Sequence, residues 1–337
     1  MEGGKDYWVE RASQPAMSAD FVSWLGATPI RDDDLFLSAV VGFGSFGLIH
    51  AVLFKAEPMY QLELFVKQFD FTQVIHAAST LDVTGLGLPD GASLPFHFEV
   101  VLNPYKRQAG AGGAFVRALY KRPFVAPGPS PSPTDGASIR ARDLVSMAGL
   151  FSDVAPGGLL ADFLQGQLLG SLAPTAPNTI MGTPGILFGD SPPTSGGTSV
   201  EVGLPLTRVG DALQAIWSVT DAKPFGAPMA LRYVKASDAL LAFTCFSPIT
   251  CTIEMPGVDS PGARAAHTAI WAALDSAGVP HTFHWGQQAP FTFNTVVAGF
   301  GLGRVNRWLA ARHGFLKTTA GRRMFSNDVL DSCGLAQ

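Results

Sequence analysis

The sequence predicts an α+β fold in which helices cover one face of an antiparallel sheet. Several apolar segments alternate with period two and are separated by short turns, as in hairpins rather than parallel strands joined by crossovers. Amphipathic helical patterns occur between them. The hydrophobic content of 47% and the charged content of only 15% supply enough apolar surface for large cores. The 37 glycines and 25 prolines mark the boundaries of the elements.

The first quarter of the chain predicts two helices followed by two strands. Ser18 is a favourable N-cap for a first helix, and the three acids at 32–34 favour the N-terminus of a second that ends at Gly42. The apolar residues 48–54 and the alternating residues 60–66 are predicted to be strands. Residues 35–54 are long enough to span a membrane, but the glycines at their centre favour a helix, a turn and a strand instead.

The rest of the chain predicts a sheet that is interrupted by one long insert. Residues 96–102 and 114–120 form a predicted hairpin, which a proline-rich linker at 127–133 joins to a helical insert at 138–172. A second linker is predicted at 192–197. Further strands are predicted at 199–206, 229–234, 240–246, 250–255 and 279–285, and further helices at 209–217, 263–277 and 304–312.

Charge and cysteine content exclude several classes of protein. The net charge of −4, without a long basic run, argues against a nucleic-acid partner. Residues 1–10 are too polar for a secretory signal, and no membrane partner is expected. Three cysteines without a C-x-x-C pair exclude a disulfide framework and a zinc cluster. Free thiols suit a reducing compartment, so a cytoplasmic location is predicted.

Residues 42–47 read G-F-G-S-F-G and match the G-x-G-x-x-G pattern of dinucleotide-binding proteins. That pattern requires a strand before the glycines and a helix after them, because the pyrophosphate binds at the helix N-terminus. Here a helix precedes and a strand is predicted to follow. A second glycine group at 299–303 follows a candidate strand at 295–297, but too few residues remain for a doubly wound domain. A nicotinamide-dependent Rossmann enzyme is therefore disfavoured.

Residues 34–50 resemble the end of the flavin domain in FAD-linked oxidases of the vanillyl-alcohol oxidase / para-cresol methylhydroxylase family. Three further segments are similar to motifs of that family. They are the H-W-G-Q sequence at 284–287, the strand at 231–235 that carries an arginine, and the tail at 321–330. The resemblance implies an FAD-binding (PCMH-type) domain made of residues 1–57 and 291–337, and a substrate-binding cap domain at 58–290.

The family's glycine-rich phosphate loop is not found before Asp34. We therefore expect a chain that starts within the flavin domain, an incomplete FAD site, and weak retention of FAD by the chain alone. Apolar surface around Phe46, Leu48 and Ile49 is then expected to be exposed. Such a surface predicts a partner chain or self-association through the truncated domain.

The resemblance also implies site residues. The backbone of Gly44, Ser45, Gly47 and Ile49 would lie against the FAD, where a Cβ would block close approach. Phe46 and Asn327 are assigned to the same cofactor site. The alternative for 42–47 is a tight turn that needs positive φ.

On the substrate side, Arg232 would supply a fixed charge and His284 a base or donor. Glu254, an acid within an apolar strand, is a further candidate base, although it could simply pair with Arg232. Gln287 is assigned to the catalytic site at the position where the family has lysine, and Ala230 stands where the polyol branch has an acid. These two departures argue against aldonolactone or polyol chemistry.

The function predicted is the substrate domain of an FAD-linked oxidoreductase, an oxidase or a dehydrogenase, that acts on an alcohol-type CH–OH carbon. The alternatives are a non-catalytic binding or scaffold protein derived from that fold, and one chain of a two-chain flavoenzyme. The 24 phenylalanines suggest an aromatic-walled pocket for an apolar small-molecule substrate, with core packing as the simpler explanation.

Overall fold

The computed structural model describes residues 4–126, 179–188, 197–222 and 228–336. The chain divides into two units. The first comprises Met1–Lys55, Ala236–Cys245 and Ala289–Gln337, and the second comprises Ala56–Lys235 and Phe246–Gln288. The predicted linker at 127–133 and helical insert at 138–172 lie outside the described residues, as does nearly all of the second linker. The assignment of the units to an FAD-binding and a cap domain stays a prediction.

The first unit contains a two-stranded parallel sheet and six helices among its described residues. Ser18 caps the first helix as predicted, and the second helix starts at the predicted acids with Asp32 as its cap. Each cap accepts a hydrogen bond from a backbone N–H of the first turn. Strand β1 pairs with β2. The elements are β1 (Tyr7–Glu10), α1 (Ala19–Trp24), β2 (Thr28–Arg31), α2 (Asp33–Ala39), α7 (Phe293–Phe300), α8 (Leu302–Phe315), α9 (Thr319–Met324) and α10 (Asp328–Ser332).

Trp308 of α8 anchors the N-terminal helix α2 to the C-terminal part of the first unit. Its side chain is fully buried, and its Nε1 donates to Ser38 O at 3.2 Å and Val41 O at 3.0 Å. The ring of Phe46 packs edge-on against it, with centroids 5.3 Å apart. The residues that precede the glycine turn at 42–47, and Phe46 within the turn, are therefore fixed by helix α8.

The second unit is built on an antiparallel sheet whose eight described strands run in the order β10-β7-β9-β8-β4-β5-β3-β6. This confirms the predicted α+β class. The strands are β3 (Tyr60–Phe69), β4 (His97–Leu102), β5 (Ala114–Pro123), β6 (Thr179–Gly182), β7 (Gly197–Pro205), β8 (Met229–Lys235), β9 (Ile249–Val258) and β10 (Thr282–Phe283); the helices are α3 (Phe71–Thr80), α4 (Pro184–Phe188), α5 (Val209–Ala222) and α6 (Pro261–Ser276).

One face of this sheet is covered by helices and is apolar, and the other face carries charged side chains. Helix α3 contacts β4 and β5, and α5 contacts both α3 and α6. On this face Leu231 and Ile253 are fully buried, and the Tyr233 hydroxyl donates to Ala78 O in α3 at 2.7 Å. Because successive side chains of a strand point to opposite faces, Arg232 and Glu254 lie on the other face. The candidate site is built there.

Three predicted strands are wrong. Residues 48–54 have no regular structure, and no described strand pairs with them. Residues 240–246 form turns instead of a strand, with Leu240 N donating to Leu37 O at 3.1 Å. Residues 295–297 belong to helix α7, because Thr292 and Thr295 form a capping box that starts a helix there.

None of the helices in the described parts of the chain combines the length and apolarity needed to cross a membrane.

Candidate functional site

Five charged side chains cross the centre of the sheet in the second unit. Glu201 of β7, Glu254 of β9, Arg232 of β8, Glu99 of β4 and Arg117 of β5 occupy adjacent strands. Glu201 pairs in register with Glu254, and Glu99 pairs with both Arg232 and Arg117. Alternation along the strands places all five on the same face. We call this set the charged row.

Arg232 stands at the centre of the charged row and is held by carboxylates on both sides. Its Nε donates to Glu99 Oε1 at 2.9 Å, and its Nη1 donates to Glu254 Oε2 at 2.5 Å. Of this side chain, 34% is exposed. Burial lowers the pKa of Arg232, but the charges of Glu99 and Glu254 more than offset this, so its pKa is raised. Arg232 is therefore a permanent, fixed cation whose side chain is partly exposed.

Glu99 is the most deeply buried member of the charged row, with 3% of its surface exposed. Arg117 Nη1 donates to Glu99 Oε2 at 2.5 Å, and His97 Nε2 lies 3.9 Å from the same oxygen. Burial raises the pKa of this carboxyl, but the proximity of His97 and the positive charges of Arg117 and Arg232 outweigh it and hold the pKa far below its usual value. Glu99 therefore stays ionised and orients the two arginines.

The remaining two carboxylates of the charged row differ in how well they are held. Glu254 accepts from Arg232 and also from Ser199 Oγ at 3.0 Å. Glu201 is only 10% exposed, yet its contacts are long: 3.7 Å from Arg232 Nη1 to Oε1 and 3.5 Å from Gln287 Nε2 to Oε2. Three carboxylates thus share two guanidinium groups, and Glu201 is the least well compensated of them.

His284 directly follows β10, and it lies beside Glu201 because β10 pairs with β7. Its backbone N donates to Glu201 O at 3.0 Å, and its Nδ1 accepts from Gly286 N at 3.1 Å. The structure thus brings the side chains of Arg232, Glu254 and Gln287 together around Glu201. The His284 backbone also contacts Glu201. The catalytic roles given to these four residues stay predictions.

Beyond the charged row, the same face of the sheet carries apolar side chains. In the pairing of β8 with β9, Ala230 lies directly opposite Glu254. The neighbouring strand β9 therefore places an acid beside position 230, which itself carries none. The buried cluster that includes Ala230 is completed by Leu62, Leu64, Val66, Val101, Phe115 and Leu119. The phenylalanines do not form one wall, since Phe98 packs against Tyr233 on the helix-covered face.

The glycine turn at 42–47 lies in the first unit, and its carbonyls are held by side chains from the C-terminal helices. Asn327 Nδ2 donates to Phe43 O at 3.1 Å, and Arg312 Nε donates to Ser45 O at 3.2 Å. Phe43 and Gly44 have positive φ angles of 53° and 69°. Asn327 Oδ1 also caps α10 by accepting from Leu330 N. The side chain of Asn327 is thus engaged within the protein and positions the turn.

The other residues assigned to the cofactor differ in exposure. A Cβ at Gly44 would meet no atom within 4 Å, so space is open beside its backbone. Ser45 Oγ is buried and has no partner among the described residues. The side chain of Phe46 is buried, whereas Ile49 is 68% exposed.

Sequence reasoning missed Glu99, Arg117 and Glu201. Glu99 and Glu201 are each the only acid or Lys/Arg of a largely apolar strand, and Arg117 lies within the apolar first part of β5, which is the signal that could have revealed them. The described residues contain no group of three or more His, Cys, Asp or Glu side chains suited to a metal ion.

No protein-family profile and no curated protein sequence matches this chain. Solved structures do match. A solvent-stable cholesterol oxidase is 13% identical with a TM-score of 0.54, over 83% of this chain and 60% of that chain. A xylooligosaccharide oxidase from Myceliophthora thermophila C1, in complex with xylobiose, is 10% identical with a TM-score of 0.48, over 84% and 59%. A chitooligosaccharide oxidase is 11% identical with a TM-score of 0.44, over 84% and 58%.

The chain therefore spans about 60% of the length of the cholesterol oxidase, with which it shares its fold.

Proposed function

We propose that the second unit is the substrate domain of an FAD-linked oxidoreductase acting on an alcohol-type CH–OH carbon. The observation that carries this proposal is that two carboxylates hold Arg232 in place while a third of its side chain remains exposed. A preorganised donor of this kind can orient a hydroxyl group and stabilise the negative charge that develops as its proton leaves. The fold shared with an oxidase and the motif resemblance support the same class.

Glu254 is the proton acceptor that best fits this chemistry. It is partly exposed and lies within hydrogen-bond distance of Arg232, so one hydroxyl can meet both groups. Glu99 cannot serve, because Arg117 and Arg232 stabilise its ionised form too strongly. FAD, when bound, would supply the acceptor for the hydride.

The glycine turn of the first unit fits a cofactor that approaches the backbone. The open space at Gly44 and the buried, unpartnered Ser45 Oγ are the two observations that support this fit. The backbone of Gly44, Ser45 and Gly47 would hold the flavin, with Asn327 and Arg312 positioning the turn from behind.

Gly44→Ala is expected to weaken FAD binding at least tenfold, because the new methyl group would occupy the space beside the turn. Gly26→Ala is the matched control. Gly26 lies in the same unit, has φ of 70° against 69° at Gly44, and also has no atom within 4 Å of an added Cβ. Both variants therefore carry similar backbone strain, on the order of 1 kcal/mol. FAD binding is measured by fluorescence anisotropy; equal affinities for the two variants, or no saturable binding by the wild type, would contradict the flavin assignment.

We also propose that the segment 48–54 binds a second copy of this chain. Its support is that Leu48, Ile49, Val52, Leu53 and Phe54 are all at least half exposed. Ile49→Asp is expected to raise the dimer dissociation constant at least tenfold, because a charge would be buried in an apolar contact. Met324→Asp is the control, since Met324 is a 75% exposed apolar residue of the same unit outside this segment. A monomeric wild type in sedimentation experiments would refute the proposal.

A further inference from the structure

The positive charges of the first unit are concentrated in its C-terminal helices. Residues 304–323 contain six of the chain's 23 lysines and arginines and none of its 27 aspartates and glutamates. The whole chain has a net charge of −4, so this stretch opposes the charge of the rest. Three of the six basic side chains, those of residues 317, 322 and 323, lie after the end of helix α8 and in helix α9.

These three cations keep their charge at the surface. Arg322 Nη1 donates to Leu316 O at 2.9 Å, and its Nη2 donates to Thr319 Oγ1 at 3.4 Å. Both acceptors are uncharged, so these hydrogen bonds orient the guanidinium group without neutralising it. Lys317 and Arg323 are exposed. The surface therefore presents one oriented cation and two exposed ones.

The three cations lie close together and beside an exposed apolar side chain. The hydrogen bond to Leu316 O brings the guanidinium group of Arg322 to the backbone next to Lys317. Arg323 and Met324 follow directly in helix α9, and Met324 is 75% exposed. We call Lys317, Arg322, Arg323 and Met324 the basic surface.

The positive potential of the basic surface extends to the buried Arg312. Burial lowers the pKa of Arg312, and the charge of Arg322 lowers it further, whereas the charge of Asp331 raises it. The two guanidinium groups therefore repel each other. An anion at the surface would reduce this repulsion, because opposite charges attract over such distances.

The combination of cations with an exposed apolar side chain favours an anionic lipid surface over other anions. An acidic protein or a nucleic acid would attract the three cations, but only a lipid surface also offers an acyl phase for Met324. The acids elsewhere in the chain oppose this attraction weakly. The Debye length is about 8 Å at physiological ionic strength, so the charges nearest the surface dominate.

We infer that the basic surface binds reversibly to membranes that contain anionic phospholipids. Each lysine or arginine near such a membrane strengthens binding about fivefold. This contact is peripheral, so it needs neither a secretory signal nor a membrane-spanning helix. The expectation of no membrane partner rested on those two features and does not address a contact of this kind.

The test is cosedimentation of the purified full chain with vesicles of phosphatidylcholine, with and without phosphatidylglycerol. Partitioning is expected to be at least tenfold greater when phosphatidylglycerol is present, and this difference should shrink as salt is added. The double variant Lys317→Glu/Arg323→Glu is expected to lower partitioning onto the anionic vesicles at least twentyfold. Lys67→Glu/Lys235→Glu makes the same charge change at two exposed positions of the second unit and should alter it less than twofold.

Met324→Ser provides a second variant that leaves every charge in place. It is expected to lower partitioning onto anionic vesicles about threefold, because an apolar contact with the acyl phase is lost. Equal binding to both kinds of vesicle, no binding to either, or equal losses in the two double variants overturns the inference. Binding of poly-L-glutamate or duplex DNA without binding of anionic vesicles would assign the basic surface to an acidic macromolecule and overturns it as well.

Discussion

Glu99→Gln is expected to lower the free energy of unfolding of the second unit by about 3 kcal/mol, near the low end of values for breaking a buried ion pair. Glu99 is the only carboxylate paired with Arg117 among the described residues, and it also binds Arg232. The variant leaves the Arg117 charge, with 18% of its side chain exposed, without compensation. Arg232 keeps Glu254, which limits the loss. Hydrogen exchange of the β4 and β5 amides measures the effect within this unit.

Glu57→Gln is the matched control, because Glu57 pairs with Lys121 at 3.0 Å but is 60% exposed. An exposed pair contributes about 0–1 kcal/mol, so little change is expected. Equal losses in the two variants would contradict the structural role of Glu99.

The pH dependence gives an independent check on Glu99. Because its folded-state pKa lies below the ordinary value of 4.5, its contribution to stability is complete above that pH. The contribution is lost as the pH falls below 4.5, since the unfolded chain takes up the proton first. The wild type should therefore lose stability more steeply on acidification than Glu99→Gln. Parallel pH profiles would refute this assignment.

Arg312→Met is expected to lower the free energy of unfolding of the first unit by about 3–5 kcal/mol, since several charge-assisted hydrogen bonds are lost together. Arg312 is fully buried, and its guanidinium donates to the carbonyls of Ser45, Arg322 and Ala336 at 3.2, 2.8 and 3.1 Å. It thereby ties the glycine turn, helix α9 and the C-terminal residues together. Hydrogen exchange of the amides in α8 and α9 measures the loss.

Arg312→Lys should recover only part of this stability, because an ammonium group cannot reproduce the planar fork of donors. Arg323→Met, at an exposed position of helix α9, is the control and should cost less than about 0.5 kcal/mol. Full stability of Arg312→Met would show that the buried guanidinium is not what joins these segments.

Elements whose signals are local could be predicted from the amino-acid sequence. The caps at Ser18 and Asp32 and the hairpin of β4 and β5 were predictable, because their hydrogen bonds join residues near in sequence or follow a clear alternation. The same reasoning failed at 48–54 and 240–246. An apolar, strand-like pattern produces a strand only when a partner strand lies beside it, and no local signal reports the partner.

The composition of the candidate site depends on the strand order of the folded sheet. Arg232 and Glu254 could be paired in advance, because the two strands that carry them are close in sequence. Glu99 could not, since it lies 133 residues before Arg232, and β4 and β8 become neighbours only when the sheet forms. Glu201 is likewise placed beside Glu254 by the pairing of β7 with β9. A charge within an apolar strand indicates that a partner must exist, but strand order determines which partner it is.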